Sequence, residues 1–209
     1  MRKIATILFI SGAAVLMSFN APVSLTQPSV KEAKAPVAYK VDGTKSKIAW
    51  LAKKVTGSHN GFISVTGGDL QVDGSTLTGG TFTVDTRTMT VDDIKDANGN
   101  ARLLNHLKSD DFFSVEKHPN ATFVITSVKK KSGTTHDITG NLTIKGITQP
   151  VTFPAEIAVN GSQLNAKATI VIDRTKFDIK YRSKSFFENL GDKTIYDEFT
   201  LDVELVANK

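Results

Sequence analysis

The side chains with reactive chemistry are sparse and scattered in this sequence. The 209-residue chain has no cysteine, which excludes disulfides, thiolate metal sites, cysteine nucleophiles and an acylated lipoprotein anchor. Its histidines, His59, His106, His118 and His136, stand far apart, so there is neither a zinc helix nor a compact metal motif. Asp96, Asn98 and Gly99 imitate part of a calcium loop, but its first ligand position falls on Ile94 and its last on Asn105, where a glutamate is required. No Gly-x-Ser-x-Gly elbow, Walker loop or dinucleotide glycine motif occurs. No catalytic residue, cofactor or metal is therefore expected. An enzyme would need a polar set such as His59, His106 and an aspartate to converge in space.

What remains is a polar stretch, Arg174, Lys176, Tyr181 and Arg182. A guanidinium forks onto two phosphate oxygens, so these residues are candidates for meeting a polar or phosphorylated head group. Arg174 has an equal structural reading, an ion pair with Asp173 or Asp197. Lys129, Lys130 and Lys131 precede a Ser-Gly turn and read as a solvated hairpin tip. The Asn-x-Ser/Thr triplets at Asn120, Asn141 and Asn160 carry no weight without a glycosylating pathway.

With 26 Lys+Arg against 21 Asp+Glu the net charge is +5, but the basic residues are dispersed, and no nucleic acid partner is expected. Arg2 and Lys3 precede an apolar run from Ile4 to Phe19, the pattern of a secretory signal peptide. The run is shorter than the roughly 20 residues of a spanning helix. Residues 1–20 are read as a signal peptide cut between Ser18 and Ser24, which sends the protein to the periplasm or the cell exterior. Pro22, Pro28 and Pro36 break any element in residues 21–38, a flexible linker. Residues 39–209 are long enough for one domain.

That domain alternates. Leu164, Ala166, Ala168, Ile170 and Ile172 share one face of a strand over Gln163–Asp173; Ile138, Leu142 and Ile144 do so within Thr134–Lys145, and Phe199, Leu201, Val203 and Leu205 near the end. Weaker strands run over Ile48–Val55, Phe62–Thr66, Asp69–Val72, Leu77–Thr86, Ala121–Lys129 and Val151–Val159. Gly67-Gly68, Asp73-Gly74, Ser132-Gly133, Lys145-Gly146 and Asn160-Gly161 read as hairpin turns. Leu103, Leu104 and Leu107 have helical spacing within Ala101–Phe113, and Arg182–Tyr196 is irregular enough to cover a barrel mouth. One-sided strands of this number, about eight to ten, protect their edges best by closing into an antiparallel all-β barrel.

Six motifs recur in a fixed order: Ser46–Trp50, Gly57–Gly61, Asn105–Phe113, His118–Phe123, Gly140–Thr148 and Ile172–Phe177. In this the chain resembles the YceI-like family of secreted, lipocalin-like proteins, over about Tyr39 to Val206. The resemblance implies an eight-stranded antiparallel barrel with a short helix near one end, enclosing a long apolar channel for a polyisoprenoid or another amphiphilic chain, and brings no catalytic residues. Trp50 stands where the family often has Phe, and Asp178 where many members have Gly.

The strand faces carrying Ile48, Trp50, Ile63, Phe82, Val84, Phe123, Leu142, Ile144, Val151, Phe153, Ala166, Ala168 and Ile170 are expected to line the interior, with the two alanines leaving room. Burying a five-carbon isoprene unit at ~0.8 kcal/mol per methylene stabilises binding without any charged contact, less the cost of ordering and association. The reading is a non-enzymatic carrier or sequestering protein for an isoprenoid quinone, its precursor, or a fatty amide or acid. Its alternatives are an enzyme acting on a hydrophobic substrate and an envelope interaction module with a packed barrel. Peripheral membrane contact and a homodimer are left open.

Overall fold

In a computed structural model of the protein, residues 35–209 are described. The expected signal peptide and all of the expected linker before residue 35 lie outside the described residues. The strands are β1 (Val37–Val41), β2 (Lys47–Lys54), β3 (Gly57–Asp73), β4 (Thr76–Asp85), β5 (Asn120–Ser132), β6 (Thr135–Ile144), β7 (Ile147–Asn160), β8 (Gln163–Asp173) and β9 (Ile195–Asn208). The first thus begins two residues inside the stretch read as linker. One helix, α1 (Ala97–Lys108), lies between β4 and β5.

Each strand pairs antiparallel with its neighbours, and the sheet closes on itself as an eight-stranded barrel. Nine strands fill eight positions because β1 and β2 are two halves of one. Val37–Lys40 pair with Asp69–Val72 of β3, and Ile48–Lys54 with Gly57–Ile63 of the same strand. Both halves also pair with β9, at Val41–Ala207 and at Lys47–Glu204 onward. The interruption, Asp42–Ser46, is stitched back: the Asp42 amide donates to the Val206 carbonyl at 2.8 Å and the Ser46 hydroxyl accepts from the Val206 amide at 3.1 Å. Hydrogen bonds from Thr44 and Lys45 hold the Asp42 carboxyl down at about 2.

Four of the five turn readings form hairpins, with Gly74, Gly133, Gly146 and Gly161 at positive φ. Gly67-Gly68 does not. Both residues have φ +154, and the register shifts there while β3 runs on. The two expected strands are one bulged strand. A Cβ on Gly68 would meet the Thr81 carbonyl oxygen at 2.2 Å, so the glycine permits close backbone approach and does not reverse the chain. The helix starts four residues earlier than the leucine spacing indicates, because Asp96 caps it by accepting from the Gly99 amide at 2.6 Å. The same contact accounts for Asp96 and Gly99 without calcium.

The two barrel ends differ. At one end the chain turns by tight hairpins at Asp73-Gly74, Ser132-Gly133 and Asn160-Gly161, and the interior beneath is filled by Leu70, Val72, Leu164 and Ala207, all almost wholly buried. At the other end two long connections, β4 to β5 through α1 and β8 to β9, cross the opening. No helix among the described residues is long and apolar enough to cross a membrane.

Leu164 is fully buried, so Leu164→Ala is expected to cost about 2–5 kcal/mol. It should lower the urea midpoint with an unchanged slope.

Candidate ligand-binding cavity

The half of the barrel under the long connections holds a cavity of about 130 Å³, close in size to the ~150 Å³ apolar cavity that takes one benzene. Ile48, Trp50, Ile63, Phe82, Val84, Phe123, Leu142, Ile144, Val151, Phe153 and Ile170 line it, together with Arg174. Of all its lining residues only Thr86, Thr122 and Arg174 are neither aliphatic nor aromatic. Alternation supplies these side chains, since every second residue of a closed strand faces inward.

Ring packing shapes the wall. Phe82 lies 5.6 Å from Phe123, and Phe123 lies 5.4 Å from Phe153, between ring centroids. Phe123 and Phe153 are two strands apart and meet across Gly140, where a Cβ would stand 2.3 Å from the Phe123 ring. Trp50 is pinned by its indole N–H, which donates to the Thr90 carbonyl at 3.1 Å. Thr90 in turn lies on Gly61, at which a Cβ would stand 2.0 Å from the Thr90 oxygen.

The cap is built twice by the same device. β4 ends at Asp85, whose carboxylate accepts from the Arg87 amide at 2.9 Å; β8 ends at Asp173, which accepts from the Thr175 amide at 2.9 Å. Each aspartate starts a 3-10 turn over the opening, and the residue following it, Thr86 or Arg174, lines the cavity. The first connection adds Leu107, Phe112 and Phe113 as roof. His106 stands 5.0 Å from Phe112 and 4.6 Å from Tyr181, ring to ring, joining the two connections.

Arg174 is buried, and its donors go to the protein. Its Nε donates to the Tyr196 carbonyl at 3.0 Å, Nη1 to Ile179 at 2.8 Å, and Nη2 to Ile195 at 3.0 Å, with the Asp197 carboxylate at 3.5 Å. The alternative of a structural pair with Asp197 describes these contacts, and Arg174 anchors the β8–β9 connection over the cavity. Burial pushes its guanidinium below its usual value, against the pull of Asp197 and Asp173. Burial alone would raise Asp197, but hydrogen bonds from Ser183 and Ser185, and the charges of Arg174 and Lys184, hold its carboxyl below the usual range.

The other residues expected beside Arg174 are not gathered at one mouth. Lys176 is exposed, with its carbonyl accepting from the Gln149 amide group at 3.3 Å. Tyr181 is half-buried against His106 and Phe112, and Arg182 is exposed, 5.1 Å from the Tyr181 ring. Ala166 and Ala168 do not line the cavity. They follow Leu164 on β8, where the interior is filled, and Ala168 borders a depression on the outer wall. The long channel expected from the resemblance is a cavity in one half only.

Sequence reasoning read a cover over Arg182–Tyr196 but did not name the roof residues Leu107, Phe112 and Phe113, or the residues of β9, as lining. Phe199, Leu201 and Val203 line the cavity; their alternation marks a strand, but only its neighbours decide which interior level they reach. The catalytic alternative also gains no convergence, since His59 meets Asp93 at 2.8 Å and His106 meets Asp111 at 2.9 Å as separate pairs. Among the described residues no cluster of His, Asp and Glu could hold a metal.

A closed antiparallel barrel with an apolar hollow under a two-loop roof defines a lipocalin-like fold. The chain belongs to the YceI-like domain family, which matches residues 39–207. A UPF0312 protein of Pectobacterium carotovorum is 39% identical over 106 residues, 50% of this chain and 53% of that protein. Protein YceI of Salmonella arizonae is 43% identical over 90 residues, 39% of this chain and 46% of that protein. The chain thus matches about half the length of these relatives. Among solved structures, Burkholderia cenocepacia BcnA superposes with a TM-score of 0.63 at 24% identity, covering 80% of this chain and 99% of BcnA. A polyisoprenoid-binding domain from Saccharophagus degradans, implicated in plant cell wall breakdown, gives 0.61 at 12% identity, covering 81% and 97%. At these identities the two structures show the shared fold.

The anchored β8–β9 connection carries a pH signature. The Asp197 pKa is lowered on folding, so its contribution is complete above the unfolded value near 3.9 and is lost as pH falls through the folded value. Amide exchange over residues 182–196, corrected for intrinsic rate, should accelerate in acid, as the pH falls well below the unfolded value, relative to neutral pH. Asp197→Asn should show the fast exchange at both.

Proposed function

We propose that the protein binds a polyisoprenoid, such as a quinone or its precursor, or a similar long-chain amphiphile, and sequesters or carries it without chemical change. The observation that carries this is the apolar cavity under the roof, walled by side chains from the strands and both connections. Membership of the YceI-like family and the fold shared with a polyisoprenoid-binding domain support the ligand class. A cavity of this size matches roughly one isoprene unit, whereas a longer chain or a bulky ring system needs more room than it offers. The periplasm or cell exterior is the proposed location, supported by the charged and apolar beginning of the chain and its lack of cysteine.

Mass spectrometry of the protein purified from its host under non-denaturing conditions tests both parts. The organic extract should contain a stoichiometric isoprenoid or fatty-chain lipid absent from an unrelated protein treated alike. The intact mass should correspond to cleavage between Ser18 and Ser24. In vitro, the only tryptophan, Trp50, should transfer energy to a dansyl-tagged geranylgeraniol. Ile144→Trp, which fills the cavity, should weaken binding of the untagged alcohol at least tenfold, a loss of about 1.4 kcal/mol. An empty extract and no titratable binding would favour a barrel acting through its surface.

We also propose a peripheral contact with an anionic bilayer through the β8–β9 connection. Phe186 and Phe187 are each about half exposed there (49% and 50%). Arg182, Lys184 and Lys193 are exposed on the same segment, against two exposed acids, Glu188 and Asp192, and the Lys180 ammonium lies 5.1 Å from the Phe186 ring. Aromatic rings beside cationic side chains suit a lipid headgroup surface. The protein should float with phosphatidylglycerol vesicles at low salt and less with phosphatidylcholine vesicles, and Phe186→Ser with Phe187→Ser should abolish flotation.

A further inference from the structure

The barrel wall has a weak seam beside the cavity, and prolines make it. β7 and β8 pair only from Asn160–Gln163 to Glu156–Lys167, although β7 continues back to Ile147 and β8 forward to Asp173. On its other side β7 pairs with β6 without a break from Glu156 to Ile147. The Ile157 amide donates to the β6 side, to the Thr134 carbonyl at 2.9 Å. Amides alternate in direction along a strand, so the odd-numbered amides of β7 face β6 and the even-numbered ones face β8. Continuing the register past Glu156–Lys167 would place Pro154 against Thr169 and Pro150 against Asp173. Both prolines therefore fall where an N–H must be donated to β8, and neither has one. Pairing stops where the first donor is missing, and Thr152 alone between them keeps an N–H on that side.

The gap is tied again near the roof, where Gln149 reaches the Lys176 carbonyl at 3.3 Å and the Lys145 ammonium reaches that of Asp178 at 3.2 Å. Between the ties the wall over residues 150–155 of β7 and 168–173 of β8 is held by side chains, without ladder hydrogen bonds. Those side chains include Phe153 and Ile170, both lining the cavity. Outside, the start of the seam opens into a depression of about 500 Å³ bordered by Pro154, Lys167 and Ala168. Val203 lines both this depression and the cavity, so one layer of side chains separates them.

We infer that the β7–β8 seam is a lateral portal through which the chain of a linear isoprenoid enters and leaves the cavity. This rests on the proposed binding function. A chain longer than the roughly one unit the cavity holds has to displace the packed half, lift a roof held by Arg174, or part the wall. Parting the wall here breaks no ladder hydrogen bond. The chain slides in sideways through the seam while its polar head stays in the outer depression.

The test restores the missing donors. Pro150→Thr with Pro154→Thr lets β7 zip onto β8, and protected amides at both positions in hydrogen exchange report that it has. Stopped-flow energy transfer from Trp50 to dansyl-geranylgeraniol should then show association and dissociation both slowed about tenfold or more, with Kd changed less than threefold. A second variant, Thr152→Cys with Val171→Cys, puts thiols at the two positions that the continued register would set opposite each other, in a chain with no other cysteine. It should exchange ligand slowly when oxidised and at the parent rate when reduced, and it decides the question if the proline variant does not fold. Parent rates in the zipped or oxidised protein would overturn the portal while leaving binding intact. Absence of energy transfer to the parent protein would instead overturn the binding function itself.

Discussion

The pairing of the last strand with the first is the constraint on which the rest of this structure depends. β9 lies against β1 and β2, joining residues separated by most of the domain, as the Ser46–Val206 contacts show. Until that ladder forms, the sheet has two edges and no inside, and the apolar faces of β2 and β9 look into water. Once it forms, Ile48 lies beside Val203 and Trp50 beside Leu201 on one inner wall. The cost is an entropic one, because contacts so distant in sequence close a large loop before they gain anything. A barrel of this kind holds together as a unit or not at all.

Closure creates an interior but does not decide whether it is full. Tight hairpins at one end bring strands close enough for Leu70, Val72 and Leu164 to meet. At the other end the strands outrun their inward side chains, and the long connections supply a roof above the gap. The roof needs its own polar anchors because its backbone carbonyls are buried. Arg174 meets three of them with one guanidinium, and Asp85 and Asp173 turn the chain inward at the two strand ends. An Arg174 that satisfies buried carbonyls stabilises by preventing unmet hydrogen bonds as much as by attraction.

The same hydrogen-bond arithmetic, run in reverse, weakens the wall between β7 and β8. Proline is tolerated in β7 because β6 takes the opposite side of the strand. The consequence is a local edge inside a closed barrel, covered by the side chains of Phe153 and Ile170 and not by backbone pairing. Rigidity at the roof and compliance in the wall are thus set by different residues and can vary independently.

Much of this was legible in the sequence. Alternation marked the strands, Gly-containing dipeptides marked four hairpins, and the ordered motifs from Ser46 to Phe177 identified the family and with it the barrel. Those signals are local, because a side chain's face and a turn's backbone angles depend on neighbours a few residues away. Gly67-Gly68 misled because a bulge and a turn call on the same freedom of glycine. Where along the barrel an inward side chain lies depends on register between distant strands. Hence Ala166 and Ala168, on the correct face, border no cavity, while Phe199, Leu201 and Val203 do. Arg174 likewise could meet a head group or a carbonyl from its sequence alone; the fold carries the carbonyls of Ile179, Ile195 and Tyr196 to its donors. The sequence alone determined which faces are apolar and where the chain turns. Tertiary structure decided which of those faces enclose space, because space is a property of strands that meet, and no single strand contains it.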